Sequence, residues 1–505
     1  MNDALLDNRA GRALVGVTAG VAGVAGSYAA TGYTPTFLAS PIERFLSRNM
    51  PAVAVRFAIE NLGSLGQQLN LVTAIALAWL LLGVGATGAL LAGRAANNRL
   101  LPAVGTGVFA WTMTAALTGD LLLALGPAFP AAGVVALAQV VDAYGGRAEP
   151  ISSKRRQALS TIGVAAGVTT FGYAAGERRT RLAENAPELT APGADLADIQ
   201  TKLDTADSRS LGIDGIEPLV SENFFEVDIN SIDPDLAADD WSLTITGEVE
   251  QEVTVGYDEL REIEATNQFS TLRCVGDSLN GNKIDTALWT GVPLQRLLDE
   301  AGPQSDCECV LLRSEDGYEV EFPIEAFNRG LAVYGMNGNV LPRGHGYPVR
   351  AVIPGHWGEV NSKWLSEIEV LEREVDGYWE QRGWEGTGPV KPTATLHHDE
   401  MLEDGQRRLA GQAYAGLRGV SRVEVSTDGG STWSEASLSE PLPAADGEGR
   451  AIDAWRQWEY SYDPPGSNHT AVVRMVTEDG TVQTDEETGP FPTGPSGWVS
   501  REFQS

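Results

Sequence analysis

The stretch FSTLRCVGDSLNG at residues 269–281 runs into ALWTGVPLQRLLDEAG at 287–302. Apolar and β-prone residues lead up to Cys274, and a polar, glycine-containing turn follows it. A second β-prone run then passes into the helical spacing of VPLQRLLDEAG. A lone cysteine at a strand end is ordinarily a small core hydrophobe. A second stretch, PRGHGYPVRAVIPGHWGEVNSKWLSEIEV at 342–370, adds His345, Arg350 and Lys363 around a Pro-Gly turn. These are hydrogen-bond donors suited to an anionic, phosphate-bearing ligand. A basic cluster between two apolar strands in an acidic region calls for such a partner.

The surrounding segments are mixed in type. WSLTITGEV (241–249) alternates as a strand does, and YDELREIEA (257–265) has helical spacing. VLLRS, YEVEF and VRAVIP read as strands. This order predicts an α+β domain over 222–392 rather than a doubly wound sheet. From residue 393 the pattern becomes short strands, such as VSRVEVSTDGG and QWEYSYD, separated by Asp-Gly and Pro-Gly turns. That predicts an all-β sandwich over 393–505. Residues 182–221, rich in Ala, Asp, Glu and Thr, read as an acidic linker.

Residues 1–181 read as membrane. Apolar runs of about 20 residues, the length a span requires, occur at 12–32, 70–93, 100–119, 121–143 and 157–176. Asp120 marks a tight turn between the third and fourth. The amphipathic segment 38–66, with three arginines, is expected at the interface. Flanking charge places the N-terminus inside and the large acidic part outside the cell membrane. SKRRQALSTIG (153–163) reads either as positive-inside flanking or as an internal twin-arginine-like signal.

Charge divides the chain the same way. Residues 1–181 hold 14 Lys+Arg against 8 Asp+Glu, and the remainder holds 22 against 60. So acidic a surface repels phosphates and excludes nucleic acid as a partner. Only 5 of the 36 basic residues are lysine, a balance similar to that of proteins from high-salt habitats. Three cysteines, with no C-x-x-C, give neither a disulfide framework nor a zinc site. Cys307 and Cys309 are expected as free, buried strand residues on one face.

The motifs SENFFEVD (221–228), WSLTITGEV, TLRCVGD (271–277), WTGVPLQRLL (289–298), MNGNVLPRGHGYPVRAVIPGHWG (336–358), SKWL (362–365) and DGYWEQRGW (376–384) occur in that order. Together they resemble the sulfite oxidase-type molybdopterin oxidoreductases, from about residue 222 to the C-terminus. The N-terminal helices and the RGW ending are most similar to the membrane-attached prokaryotic branch. The resemblance implies a multidomain chain with a transmembrane helical region, an α+β molybdopterin-binding domain and a C-terminal immunoglobulin-like dimerisation domain, hence a homodimer. It implies that Cys274 binds molybdenum through its thiolate, which soft sulfur suits. It further implies cofactor contacts from Phe225, Glu226, Ser314, His345, Arg350, Asn361, Ser362 and Lys363. Tungsten, which uses the same pterin, remains an alternative metal. The implied chemistry is two-electron oxygen-atom transfer to sulfite or a related sulfur compound.

Two positions depart from the vertebrate-type members. Val227 stands where they carry an active-site arginine, and Trp384 where they carry a tyrosine. Arg273 and Arg382 are the local cations expected to take over binding of the substrate oxyanion. All five histidines (345, 356, 397, 398, 469) lie beyond residue 181, so no haem is expected in this chain. Electrons are then expected to pass through a separate protein or a quinone, and the spans to contact membrane lipid. Two other readings stay open. One is a sulfoxide or N-oxide reductase of the same family. The other is a surface binding protein without cofactor.

Overall fold

The computed structural model describes residues 6–144, 187–304 and 308–504. It forms two compact units. The first holds the N-terminal residues together with 228–235, and the second holds the rest.

In the first unit six helices follow in order: α1 (Arg9–Thr31), α2 (Ser40–Asn49), α3 (Ala52–Asn61), α4 (Ser64–Ala95), α5 (Leu101–Thr118) and α6 (Leu125–Tyr144). Asn8 caps α1, its side chain accepting from Gly11 N at 2.6 Å. Asp120 closes the turn between α5 and α6, accepting from Leu122 N and Leu123 N at 2.8 Å. That matches the role expected of it. Glycine permits the close approach of α1 to α4. A Cβ on Gly20 would lie 2.4 Å from Trp79 O, and one on Gly16 2.8 Å from Gly83 O.

Large apolar side chains on α4 and α5, among them Leu80, Val84, Leu91, Val104 and Val108, face outward. A soluble bundle would bury them. Four helices among the described residues are long and apolar enough to cross a membrane. They correspond to the first four expected spans, while 157–176 lies outside the described residues. Segment 38–66 supplies α2 and α3. Helix α2 is inside-out: Ser40, Glu43 and Ser47 are buried while Phe45 is exposed. Glu43 accepts from Asn70 Nδ2 at 2.8 Å, from Ser47 Oγ at 3.2 Å and from Ser231 N at 3.1 Å. Residues 228–235 are held to the bundle there, and Ile232 joins its apolar cluster.

In the second unit, residues 187–221 are not the bare linker expected. Helix Leu196–Arg209 is capped by Asp195 and buries Ile199, Lys202 and Ala206 along one face. Spacing of three and four residues builds that face, but its small and charged side chains read as disorder by composition. Two sheets follow. One is mixed, with strands β1 (Ser242–Gly247), β2 (Val253–Gly256), β5 (Cys309–Ser314), β6 (Glu319–Pro323) and β10 (Leu365–Val370) in the order β2-β1-β10-β5-β6. Only β1 and β10 run parallel. The other is antiparallel and ordered β3 (Thr266–Arg273), β4 (Ile284–Pro293), β7 (Leu331–Met336), β8 (Asn339–Val340), with β9 (Arg350–Val352) on β7. The expected α+β character is present. Cys309 is buried as expected, but it is disulfide-bonded rather than free. Its neighbour Cys307 lies outside the described residues. Alternation along a strand treats each side chain separately and carries no sign of a disulfide.

The C-terminal part is all-β. Two antiparallel sheets, one containing Arg407–Tyr414 and Arg456–Tyr462, the other Val420–Ser426 and His469–Thr477, share a core of Leu409, Trp458, Val423, Val473 and Met475. This part grips β3 just before Cys274. Tyr414 Oη donates to Thr271 O and Asp453 Oδ1, both at 2.8 Å, and Trp455 N donates to Thr271 Oγ1 at 2.9 Å. Asp453 is fully enclosed, and burial pushes its carboxyl up to about 7. The unfolded chain releases this proton near 3.8, so the folded state binds more protons between those values and stability falls as pH rises through them. Asp453→Asn removes that dependence. Its stability relative to the parent rises across pH 4 to 7, with a slope of at most about 1.4 kcal/mol per pH unit. Urea unfolding at the two ends of the range measures it, and parallel curves for parent and variant would contradict it.

Candidate active site

Cys274 follows the last residue of β3 and is half-buried. The turn after it is fixed through backbone groups. Cys274 N donates to Lys283 O at 2.9 Å, and Asp277 accepts from Ser278 N at 2.9 Å and Lys283 N at 2.7 Å. Gly281 is required, since a Cβ would meet the Asp277 carboxylate at 2.2 Å. Burial pushes the Cys274 thiol up to about 11; Lys283 and the Gly276 N–H oppose this, and Asp277 and Glu359 add to it. The thiol is therefore protonated near neutrality unless a cation displaces its proton. Asp277→Ala leaves two amides of this turn unsatisfied and costs about 1–3 kcal/mol. Faster hydrogen exchange at the Lys283 amide, with a lowered melting temperature, is the expected signature.

The 342–364 stretch builds the second half of the site. Arg350 is buried with its guanidinium 5.1 Å over the Trp289 ring. It donates to His345 O at 3.1 Å and Asn361 O at 3.0 Å. Asn361 accepts from Ile353 N at 2.6 Å and donates to Trp357 O at 3.0 Å, which shapes the loop between them. Lys363 Nζ donates to Gly344 O at 2.7 Å and sits 4.9 Å from the Trp364 ring centroid. Burial, with Lys363 and Arg350 nearby, holds His345 down at about 3, so its ring is neutral at pH 7. Glu226 Oε1 approaches His345 Nε2 at 3.5 Å. Phe225 N donates to Asp285 Oδ2 at 2.8 Å. Gly346, at φ +109, packs against Lys363.

These two halves adjoin. A Cβ on Gly358 would lie 3.1 Å from Arg273 O and 3.7 Å from Cys274 Cα. Ser314 ends β5 opposite Leu365, next to Ser362 and Lys363 in sequence. The structure thus assembles Phe225, Glu226, His345, Arg350, Asn361 and Lys363 directly, with Ser314 and Ser362 alongside and Cys274 across the Gly358 contact. Arg273 and Arg382 are placed differently. Arg273 is buried, donates to Lys391 O at 3.0 Å and lies 5.0 Å from the Trp357 ring. Its charge is also coupled to Asp277 and Cys274 in the turn that follows β3. Arg382 stacks 3.6 Å over the Tyr378 ring and donates to Tyr378 O at 2.7 Å.

Several buried polar atoms have no hydrogen-bond partner among the described residues. Those on the segments that build the site include Ser314 Oγ, Ser362 Oγ, Arg273 Nη2 and both carboxyl oxygens of Glu359. Such groups are costly unless a ligand engages them. Two hydroxyls on the strand and loop that carry the cationic cluster, with Cys274 adjoining at Gly358, fit an anionic ligand rich in nitrogen and oxygen that also carries a thiophilic metal. Glu359 was not singled out from the sequence. Burial, then Glu380, pushes its carboxyl up to about 8. Tyr318, whose hydroxyl donates to Glu359 O at 2.8 Å, was also missed. Neither belongs to a local pattern; tertiary burial alone gives them importance.

Residues 229–379 match the oxidoreductase molybdopterin binding domain, and residues 389–489 the Mo-co oxidoreductase dimerisation domain. Mitochondrial sulfite oxidase of Homo sapiens is 29% identical over 305 residues, covering 50% of this chain and 55% of that protein. Nitrate reductase [NADH] of Solanum lycopersicum is 28% identical over 270 residues, covering 41% and 30%. The chain thus spans about half the length (55%) of that sulfite oxidase. Among solved structures, the sulfane dehydrogenase SoxCD from Paracoccus pantotrophus is 22% identical with a TM-score of 0.43, covering 50% of this chain and 71% of that one.

Proposed function

Because the chain belongs to the sulfite oxidase-type family of molybdopterin oxidoreductases, we propose that it is a membrane-anchored enzyme that oxidises sulfite or a related sulfur compound, with Cys274 as the protein ligand to molybdenum. The observation that carries this reading is the half-buried Cys274, whose backbone adjoins at Gly358 the loop that carries Lys363 and the unpartnered Ser362 hydroxyl. Molybdopterin, when bound, supplies a metal that moves an oxygen atom and two electrons. The protein's own groups do the rest. Lys363 and Arg350 supply fixed positive charge for the cofactor's phosphate, and the Ser314 and Ser362 hydroxyls donate at its edge. Neutral His345 donates or accepts one hydrogen bond without adding charge. Arg273, through its unpartnered Nη2, is the cation we assign to the substrate oxyanion. Arg382 is committed to Tyr378 and takes the outer rim.

The four apolar helices support membrane anchoring, with the catalytic part on the extracytoplasmic side. We read the C-terminal all-β part as an immunoglobulin-like module that pairs two copies of the chain. Electrons leave to a separate carrier. A reductase of sulfoxides or N-oxides is the second reading. It is favoured by one observation: Trp384 is buried against Trp379 and Phe491, so no phenol is offered at that position.

Sulfite-dependent reduction of ferricyanide by purified, metallated protein at high salt tests the choice. Saturable turnover supports sulfite oxidation. Inactivity with sulfite, together with oxidation of a reduced viologen dye by sulfoxides, would move the assignment to the reductase.

A further inference from the structure

The first unit contains a cleft of about 260 Å³ between α1, α4 and the turn that joins α1 to α2. Ala25, Tyr28, Tyr33, Phe37, Ile75 and Trp79 are among the residues lining it. Three rings stand against one another on one side. Tyr28 and Tyr33 lie 4.6 Å apart, and Phe37 meets them edge-on at 5.9 and 5.8 Å. Trp79, on α4, also lines it, its indole fixed by donation to Val17 O at 2.8 Å. Edge-on rings around an apolar gap are suited to a flat π system, with which they make favourable offset or edge contacts. A saturated acyl chain needs only apolar walls.

Depth narrows the choice further. Tyr28 is three residues from the end of α1, and the lining extends back to Val21. At the rise of a helix this places the cleft about 5–15 Å from that end. The same end receives residues 228–235, where Gln67 donates to Asp228 O at 2.7 Å and Ile232 packs into the cluster that includes Tyr28 and Phe37. Residues 1–181 contain neither histidine nor cysteine, so they offer no paired-histidine haem site and no cysteine ligands for an iron–sulfur centre. A redox partner at this unit must therefore bring its own chemistry.

We infer that this cleft binds the ring of an isoprenoid quinone, with the tail leaving between α1 and α4 into lipid. The inference rests on reading these helices as spans and the enzyme as an oxidase. The balance is even. Oxidising the substrate with an oxygen atom from water releases two electrons and two protons, and a quinone takes up both to become a quinol.

The test uses the full-length protein in quinone-free phosphatidylglycerol nanodiscs with a photoreactive azido-quinone, the labelled peptides being mapped by mass spectrometry. Label is expected on the Tyr28–Phe37 segment and at Trp79, displaced by unmodified quinone but not by added phospholipid. Ala25→Trp fills the cleft and is expected to weaken labelling by about tenfold or more, while sulfite-dependent ferricyanide reduction is unchanged. Ala25→Leu and Tyr33→Ala provide milder variants should the tryptophan disturb folding. Label spread over the outward faces of α4 and α5, or displaced equally by phospholipid, would overturn the inference. So would full labelling in all three variants. Ferricyanide activity is read separately, so its absence counts against the enzyme assignment and not against the cleft.

Discussion

Cys274→Ser loses turnover while the fold is kept. The backbone hydrogen bonds of Cys274, to Lys283 O and from Asp277 N, do not involve its side chain, and a serine hydroxyl can still accept from the Gly276 N–H that faces the thiol. The change is confined to the atom offered to the metal. Sulfur is soft and polarisable, and a bound metal can displace the proton of a thiol held at about 11. A serine hydroxyl is a harder, far weaker acid. The expected loss exceeds the roughly 10–100-fold typical of changes to residues that merely support a metal ligand. Initial rates, melting temperature and molybdopterin content on the same preparation separate this from unfolding. Parent-like activity in a variant that still carries the pterin would remove Cys274 from the metal.

Lys363→Met acts on the other side of the site. Lys363 is the cation at the Gly344 carbonyl and one of the two that depress His345. Methionine keeps much of the aliphatic stem against Trp364 and removes the charge. Affinity for the anionic cofactor is expected to fall by about 10–100-fold, so the protein purifies with little pterin. A second readout needs no cofactor. Burial is the larger cause of the low His345 value and persists, but the repulsion from Lys363 disappears. The ring therefore titrates above about 3 and still below the ordinary 6.5 in the apoprotein, a shift that NMR detects. Lys363→Arg, which restores the charge, is expected to recover part of the cofactor content.

The sequence carried the catalytic half of this account because its signals are local. Cys274 stands at the boundary between an alternating run and a polar turn, and the structure puts it at the end of β3. The basic residues of 342–363 lie within one continuous stretch, so their meeting needed little tertiary information. Asp120 was legible as a turn because aspartate side chains cap backbone amides two and three residues on. What escaped notice depends on distant partners. Helix 196–209 has few large apolar residues among many acidic and small ones, and its contacts with Asn267 and Ala445 appear only in the fold. Glu359 looks like a loop acid until Gly386 and Val275 are seen to close over it. Arg273 was expected as a cation for the substrate oxyanion. Its contacts with Lys391 and Trp357 turn most of the side chain toward the C-terminal part, leaving one N–H to act.

The central claim is that this fold holds one molybdenum through Cys274. The most direct measurement is the metal and pterin content of the folded parent protein, made in a molybdenum-replete host and purified at high salt. About one molybdenum and one pterin per chain are predicted, as the single cysteine ligand requires. A well-folded protein with neither molybdenum, tungsten nor pterin bound would contradict the account and leave a binding protein that keeps only the outline of the site.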